Sequence, residues 1–382
     1  MNAEQEPPGV AVLFNASQRL IKGEPQDLLA DQDVIACAQA VSDAFQAAGY
    51  RVARVPVCVD VEQALASYPA TDWVIFNLAE GLEGRLFEEA RIAWALEAMG
   101  YHVTGSGGDA IAVSTHKARA KALLEAHGIA TPAWWVFGHP DEVDRGMAQS
   151  LPFPLIVKPV AEDASLGVGP DAVVSTVQGL RDRVAYVVEC YRQAALAEVF
   201  IVGRELNIAL WGDAPEILPL AEVDFSAFTD PYSRIVSFAA KWDTSSPEYH
   251  TMPVQCPARL ERELALRLEL TARQAWAAIG CRGYARVDAR VSPEGIPYVV
   301  EVNCNPDISP DAGFYRAAHA AGYSYQDMVV RMLRLAWRQP YAYDREGRGY
   351  RWFFHPASNG RHQRLQPHGG ELRRGTLERV SG

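Results

Sequence analysis

Cysteine is scarce in this chain. Six residues among 382 carry a thiol, and Cys37, Cys58, Cys190, Cys256, Cys281 and Cys304 are scattered, with no two at the C-x-x-C spacing of zinc or dithiol redox sites. Such spacing excludes a zinc ribbon and a disulfide scaffold, and it predicts free thiols in a reducing cytoplasm. Long apolar runs are missing as well: no uncharged stretch approaches the roughly 18 residues of a membrane helix. The first residues carry Glu4, Glu6 and two prolines where a secretory leader would be basic. A cytoplasmic protein without a membrane partner is therefore expected. Positive charge is in deficit, 36 Lys and Arg against 47 Asp and Glu for a net charge of -11, so the sequence lacks the basic footprint of a nucleic-acid binder. No internal repeat of roughly 20 to 50 residues is visible, which excludes a solenoid.

What the sequence does have is an ordinary globular composition, 49% hydrophobic and 22% charged, over a length that suits two or three domains of about 150 residues. From Val10 short apolar runs alternate with helical periodicity: VAVLFN, a helix over about 33–48, RVARVPV, WVIFNL, a helix over about 88–99. That alternation predicts a parallel sheet. YHVTGSG reads as a further short strand, leading through Ser114 or Thr115 as N-cap into a helix over about 117–127. Beyond this boundary three pairs of strands are expected. PFPLIVKPV and VVS are joined by a mobile loop, ALAEVF and ELNIALWG turn near Gly203, and YARVDARV and PYVVEVN surround SPEG. From Gln339 onward there are eight Arg, no Lys and four acidic residues, which predicts a tail that is disordered at its end or an arm that closes on an anion.

The last pair carries the most chemistry. By period 2, Tyr284, Arg286, Asp288 and Arg290 share one face of the first strand. On the second, Val299, Glu301 and Asn303 lie opposite in face to Val300 and Val302. If the turn is centred between Glu294 and Gly295, Asp288 falls opposite Glu301 and Arg286 opposite Asn303. Two directly opposed carboxylates, with Cβ atoms about 5 Å apart, repel as a bare pair. A cation between them would relieve this, and two carboxylates with an amide oxygen suit Mg²⁺, with Arg286 placed for an oxyanion or phosphate. The alternative is a solvated hairpin face on which Arg286 and Arg290 neutralise Asp288 and Glu301.

Other candidates are weaker singly. Lys158 ends an apolar strand just before Pro159. Lys117 and Lys121 lie four apart at a helix start, where like charges repel and the helix dipole disfavours cations; either a phosphate compensates them or they are solvated. The loop 162–169, with Ser165 and Gly167, offers backbone N–H groups to phosphates or is an ordinary flexible connection. Glu198 and Glu205 flank an apolar segment as acceptors for a base and a ribose, or they belong to a surface hairpin.

Taken together, FPLIVKP, EDASLGV, GREL, SFAAKW and ARVDARVSPEGIPYVVEVNCNPDIS, with VIFNLAEG, LEAMGYHVTGS and HKARAKALLEAHGIATP before them, resemble the D-alanine:D-alanine ligase branch of the ATP-grasp superfamily from about Val10 to Trp337. The resemblance implies an α/β ATP-grasp fold with an N-terminal Rossmann-like domain (9–112), a central lid subdomain (113–200), a C-terminal catalytic subdomain (201–338) and the Arg-rich tail (339–382). It also implies an ADP-forming ligase that joins a carboxylate to an amine through an acyl phosphate, with ATP and Mg²⁺ (Mn²⁺ as a substitute), small-molecule partners and a homodimer. Carried over by position, Lys117 and Lys158 would contact the ATP phosphates and the adenine edge, and Lys241 would reach the phosphates. Ser165 and Gly167 form the phosphate loop, Glu198 and Ile201 meet adenine, and Glu205 meets the ribose. Asp288, Glu301 and Asn303 hold the metal, and Arg286 steadies the acyl phosphate. The departures lie on the substrate side. Asn15-Ala16-Ser17 replaces the family's glycine-rich stretch, Leu78-Ala79-Glu80-Gly81 its His-Gly, and Asp307-Ile308-Ser309-Pro310-Asp311 its Gly-Met-Thr-Ser type ending. Glu80, Trp242, Asp307 and Ser309 are accordingly the candidate substrate residues, and D-alanine is not the expected acceptor; alternatively, Asp307 and Asp311 cap a helix over about 311–319. A non-amine nucleophile, or a nucleotide-binding regulator without turnover, are the other functions compatible with these motifs.

Overall fold

The computed structural model describes residues 8–16, 20–58, 60–82, 85–143, 150–243 and 245–338, so the Arg-rich tail lies outside the described residues. Three sheets organise them. In the first, β1 (Gly9–Asn15) is flanked by β2 (Val52–Val57) and β3 (Trp73–Asn77), all parallel. Every residue of β1 is buried: Val10, Val12 and Phe14 face one core, with the helices Leu28–Ala47 and Tyr325–Arg338, while Ala11 and Leu13 face another, with the helix Glu88–Ala98. A parallel strand covered on both faces reads as such a continuous apolar run. YHVTGSG forms only an isolated bridge, Ile75 with Val103, before an unexpected helix, Gly108–Thr115. That helix absorbs Ser114 and Thr115, and the next, Lys117–Ala126, is capped instead by His116, whose side chain accepts from Arg119 N–H.

The second sheet is antiparallel, in the order β4 (Trp134–Phe137), β7 (Ala195–Val199), β5 (Leu155–Pro159), β6 (Val173–Val174), with the helix Val177–Tyr191 packed on it. The third has the order β11 (Val254–Gln255), β10 (Ala221–Val223), β8 (Arg204–Trp211), β12 (Tyr284–Val291), β13 (Pro297–Asn303), with β9 (Glu216–Ile217) also on β8. The expected pairing of β7 with β8 does not occur. Both edges of β7 are taken by β4 and β5, and β8 instead pairs β12 over its whole length. The chain crosses between the two sheets at Gly203, where an added Cβ would lie 1.9 Å from the Val291 carbonyl oxygen. The strands β5 and β6 do pair as expected. All six cysteines are free, and among the described residues no helix is long and apolar enough to cross a membrane.

Candidate active site

The hairpin of β12 and β13 does bring Asp288 opposite Glu301 and Arg286 opposite Asn303. It does so by a route the sequence did not reveal. Nearer the turn the pairs are Ala289 with Val299 and Arg290 with Tyr298, and a bulge follows between Asp288 and Ala289. Val300 is the extra residue, so that two residues of β13 face one of β12. Val299 and Val302, expected on opposite faces, therefore both enter the core, while Val300, Glu301 and Asn303 line a cavity. Without the bulge, the register set by the turn would bury Glu301.

That cavity has a volume of about 890 Å³. Every candidate residue lies on its wall except Lys121, Gly167 and Ser309. The opposed carboxylates do not depend on one shared cation. Asp288 accepts both Nε and Nη2 of Arg286 at 2.8 Å, and Asn207 Nδ2 at 2.8 Å. Glu301 lies 3.3 Å from Lys117 Nζ. Arg290 faces Glu205 instead, at 3.5 Å. Burial opposes the ionisation of Glu301, but Lys117 and Lys158 outweigh it and hold its carboxyl down to about 2. Burial likewise lowers the Lys117 ammonium, and Glu301 and Asp163 more than offset this. Asp163, 3.7 Å from Lys117 Nζ, is pushed up to about 7 by desolvation and by Glu301, against the pull of Lys117. Among the described residues no three His, Cys, Asp or Glu side chains gather as a metal cluster; the donors on this face are two carboxylates and an amide. They fit a hard divalent cation in donor chemistry, because the set is all oxygen, with Glu301 Oε1 ion-paired to Lys117 and Asp288 to Arg286.

Lysine decides much of the remaining geometry. The chain has only five, Lys22, Lys117, Lys121, Lys158 and Lys241. Four line the cavity, and the fifth, Lys121, is 1% exposed just behind it. Glu198, expected as an open acceptor, lies between two of them: Oε1 is 2.7 Å from Lys158 Nζ and Oε2 is 2.5 Å from Lys121 Nζ. The like charges at the start of the Lys117 helix are thus compensated by Glu301 and Glu198. Lys241, on the short helix Phe238–Trp242, has its ammonium lowered by burial and by Arg286. Sequence reasoning assigned no role to Lys22, whose ammonium meets Glu162. The scarcity of lysine was the signal that would have found it.

The loop after β5 is tied down rather than loose. Trp242 Nε1 donates to the Ala164 carbonyl at 2.9 Å, Ser165 Oγ to Val236 at 3.0 Å, and Phe238 N–H to Val168 at 2.9 Å. Gly167 has φ +70°, and a Cβ there would lie 2.8 Å from Pro159 Cγ and 2.9 Å from Tyr191 Cε2. Its glycine is required by packing and backbone angle. On the cavity wall Asp307 Oδ1 accepts Ser309 N–H at 2.8 Å and Ser309 Oγ at 2.7 Å, and Asp33 Oδ2 lies 3.2 Å from the same hydroxyl. Ser309, 4% exposed, thus holds two carboxylates and does not reach the cavity. The helix that follows is Gly313–Ala320, with Ala312 as N-cap and no side-chain cap, so Asp307 and Asp311 are not helix caps.

A family model for the D-ala D-ala ligase C-terminus matches residues 123–334. The chain belongs to the D-Ala–D-Ala ligase family. It is 33% identical over 279 residues to a D-alanine–D-alanine ligase of Bordetella parapertussis, covering 72% of this chain and 82% of that one. It is 32% identical over 270 residues to an uncharacterized protein, y4sG, of Sinorhizobium fredii, covering 70% and 76%. Among solved structures, the Bacillus anthracis D-alanine–D-alanine ligase complexed with ATP matches at a TM-score of 0.68 and 20% identity over 87% of this chain and 98% of that one. The VanG D-Ala:D-Ser ligase of Enterococcus faecalis matches at 0.62 and 18%, over 86% and 100%. The shared architecture is the ATP-grasp fold of this ligase family, and in this chain the cavity is lined from both the second and the third sheet.

Proposed function

We propose that this family member is an ATP- and Mg²⁺-dependent carboxylate–amine ligase whose acceptor is not D-alanine. The observation that carries the reading is the meeting, in one cavity, of Asp288, Glu301 and Asn303 with Arg286, Lys117, Lys158 and Lys241. Phosphoryl transfer is catalysed mainly by positioning and by neutralising charge, and this set supplies both. Lys117, Lys158 and Lys241 take the phosphates, Ile201 and Glu205 the nucleoside, and the loop around Ser165 covers them. Asp288, Glu301 and Asn303 would hold Mg²⁺, which when bound neutralises the transferring group. A substrate carboxylate attacks the γ-phosphate, giving an acyl phosphate and ADP. An amine then displaces phosphate to leave an amide, while Arg286, fixed in plane by Asp288, faces the oxyanion. In this reading 9–112 carries the substrate side, 113–200 the lid and 201–338 the catalytic wall. Asp33, Glu80 and Asp307 give the acceptor end a negative character that suits a cationic or hydrogen-bond-donating group.

The test is ADP release over a matrix of carboxylates and amines, with mass spectrometry of the product. Mg²⁺-dependent ADP formation that requires both partners and yields an amide is the expected result. ADP release indifferent to the amine, or a thioester product, would overturn it.

A further inference from the structure

Lys121 does not line the cavity, yet it is the most deeply buried cation near it, 1% exposed. Burying an ammonium is costly unless it is paired and hydrogen-bonded, so its partners show what it is for. One is Glu198, whose other oxygen holds Lys158 on the cavity wall. The second is Thr131 Oγ1, at 2.8 Å. The Thr131 hydroxyl passes its own hydrogen to the carbonyl oxygen of Val299, also at 2.8 Å, and Val299 N–H donates to Ala130 O at 2.8 Å. Val299 is the last regularly paired residue before the bulge that turns Glu301 into the cavity. A single buried chain therefore runs from Lys158, through Glu198, Lys121 and Thr131, to the backbone that sets the metal-facing carboxylate. Its two ends lie on different sheets, β5 and β13.

We propose that Lys121 and Thr131 are positioning residues that lock Lys158 and Glu301 at one relative placement, so that phosphate and metal are bound together. The inference rests on the nucleotide reading given above. Lys121 fixes the carboxylate that aims Lys158. Thr131, a neutral donor and acceptor at once, transmits the same constraint to the bulge without adding charge.

The test uses the full chain and equilibrium binding of a nonhydrolysable ATP analogue over a Mg²⁺ titration, with thermal melting alongside. Thr131→Val keeps the branched shape and removes both hydrogen bonds. It should weaken analogue binding at fixed Mg²⁺ by about tenfold, the scale of leaving one buried polar group unsatisfied, and raise the Mg²⁺ needed for half-saturation. Thr131→Ser, which keeps the hydroxyl, should restore both within about twofold. Lys121→Met should weaken binding at least as much. Should Lys121→Met fail to fold, Thr131→Val with its Ser rescue decides alone. Wild-type affinity and Mg²⁺ dependence in Thr131→Val or in a folded Lys121→Met, even with a lowered Tm, would overturn the inference while leaving the nucleotide reading intact. If the wild-type chain binds no analogue, the nucleotide reading itself fails, and the inference with it.

Discussion

Arg286 and Asp288 form a planar, doubly hydrogen-bonded pair inside a cleft, and that geometry makes the arginine irreplaceable by a point charge. If it stabilises charge that develops only in the transition state, Arg286→Ala should lower kcat by about 10²- to 10³-fold. Arg286→Lys should recover only part of this, since one ammonium cannot satisfy both Asp288 oxygens and an oxyanion. Steady-state ADP release checks it; a change confined to KM would mean uniform ground-state binding instead. Gly203 makes a second test, independent of catalysis. A methyl group there meets the Val291 carbonyl oxygen at 1.9 Å, so Gly203→Ala should destabilise by roughly 1–3 kcal/mol or more, measured by denaturant unfolding. The residue types at the site were legible because acids, lysines and an amide in one hairpin and its neighbours admit few explanations. Their partners were not. The sequence shows that Lys117 and Lys121 are close, but nothing in it says that one meets Glu301 and the other Glu198.

Among the elements, local pattern succeeded where pairing is local and failed where a strand had to choose a distant neighbour. The β12–β13 pair is joined by the tight turn 292–296 and β5–β6 by the longer loop 160–172, whereas β7 and β8, separated only by 200–203, enter different sheets. The bulge at Val300 was hidden for a related reason: period 2 assumes a regular ladder, and Val299-Val300 reads equally well in either register. The loop 162–169 was expected to be mobile, but it shares hydrogen bonds with 236–242. A nonhydrolysable ATP analogue with Mg²⁺ should therefore slow amide exchange in both segments together; protection of one alone would disprove that they close as a unit. The segment 23–27 provides a pH test. Asp27 Oδ2 accepts Glu24 N–H at 2.9 Å and Tyr191 OH at 3.2 Å, tying the start of the first helix to the helix on the second sheet. Burial raises its carboxyl above the ordinary value of 3.8 despite those bonds. The folded state thus prefers the protonated form, and this contribution is full below the unfolded value and is lost as pH rises through the raised one. Asp27→Asn, which keeps an acceptor without the charge, should gain Tm relative to wild type between about pH 4 and pH 7. A constant difference across that range would contradict the sign.

Over the whole molecule, charge is sorted. The chain carries a net charge of -11, yet all five lysines gather at or just behind one cleft, and Asp33, Glu80 and Asp307 lie on the wall of the same cavity. In native reductive methylation read by mass spectrometry, Lys117, Lys121 and Lys158 should resist labelling, since each is buried. The half-exposed Lys241 should react first and be protected by nucleotide. Asp33, Glu80 and Asp307 bear on the acceptor. Burial and then the neighbouring Asp307 raise the Asp33 carboxyl, the sign expected when like charges share a site with little water. Ser309 can donate its one hydroxyl hydrogen to only one of them at a time, so the hydroxyl holds the pair together without cancelling its charge, and the cations that act on Asp307 are Arg286 and Lys241. On the acceptor reading proposed above, an incoming D-alanine would bring its carboxylate toward Asp33 and Asp307 and add a further negative charge at close range, where the interaction is large. An acceptor with an amino, guanidino or hydroxyl group would relieve the repulsion. We expect D-alanyl-D-alanine formation to be slow, and the preferred acceptor to lose kcat/KM selectively in Asp307→Asn, with Tm little changed because that residue caps no helix. Asp33→Asn should act in the same direction and less strongly. Efficient D-alanine–D-alanine ligation by the wild-type protein, or variants that melt lower with unchanged substrate preference, would refute the cationic acceptor.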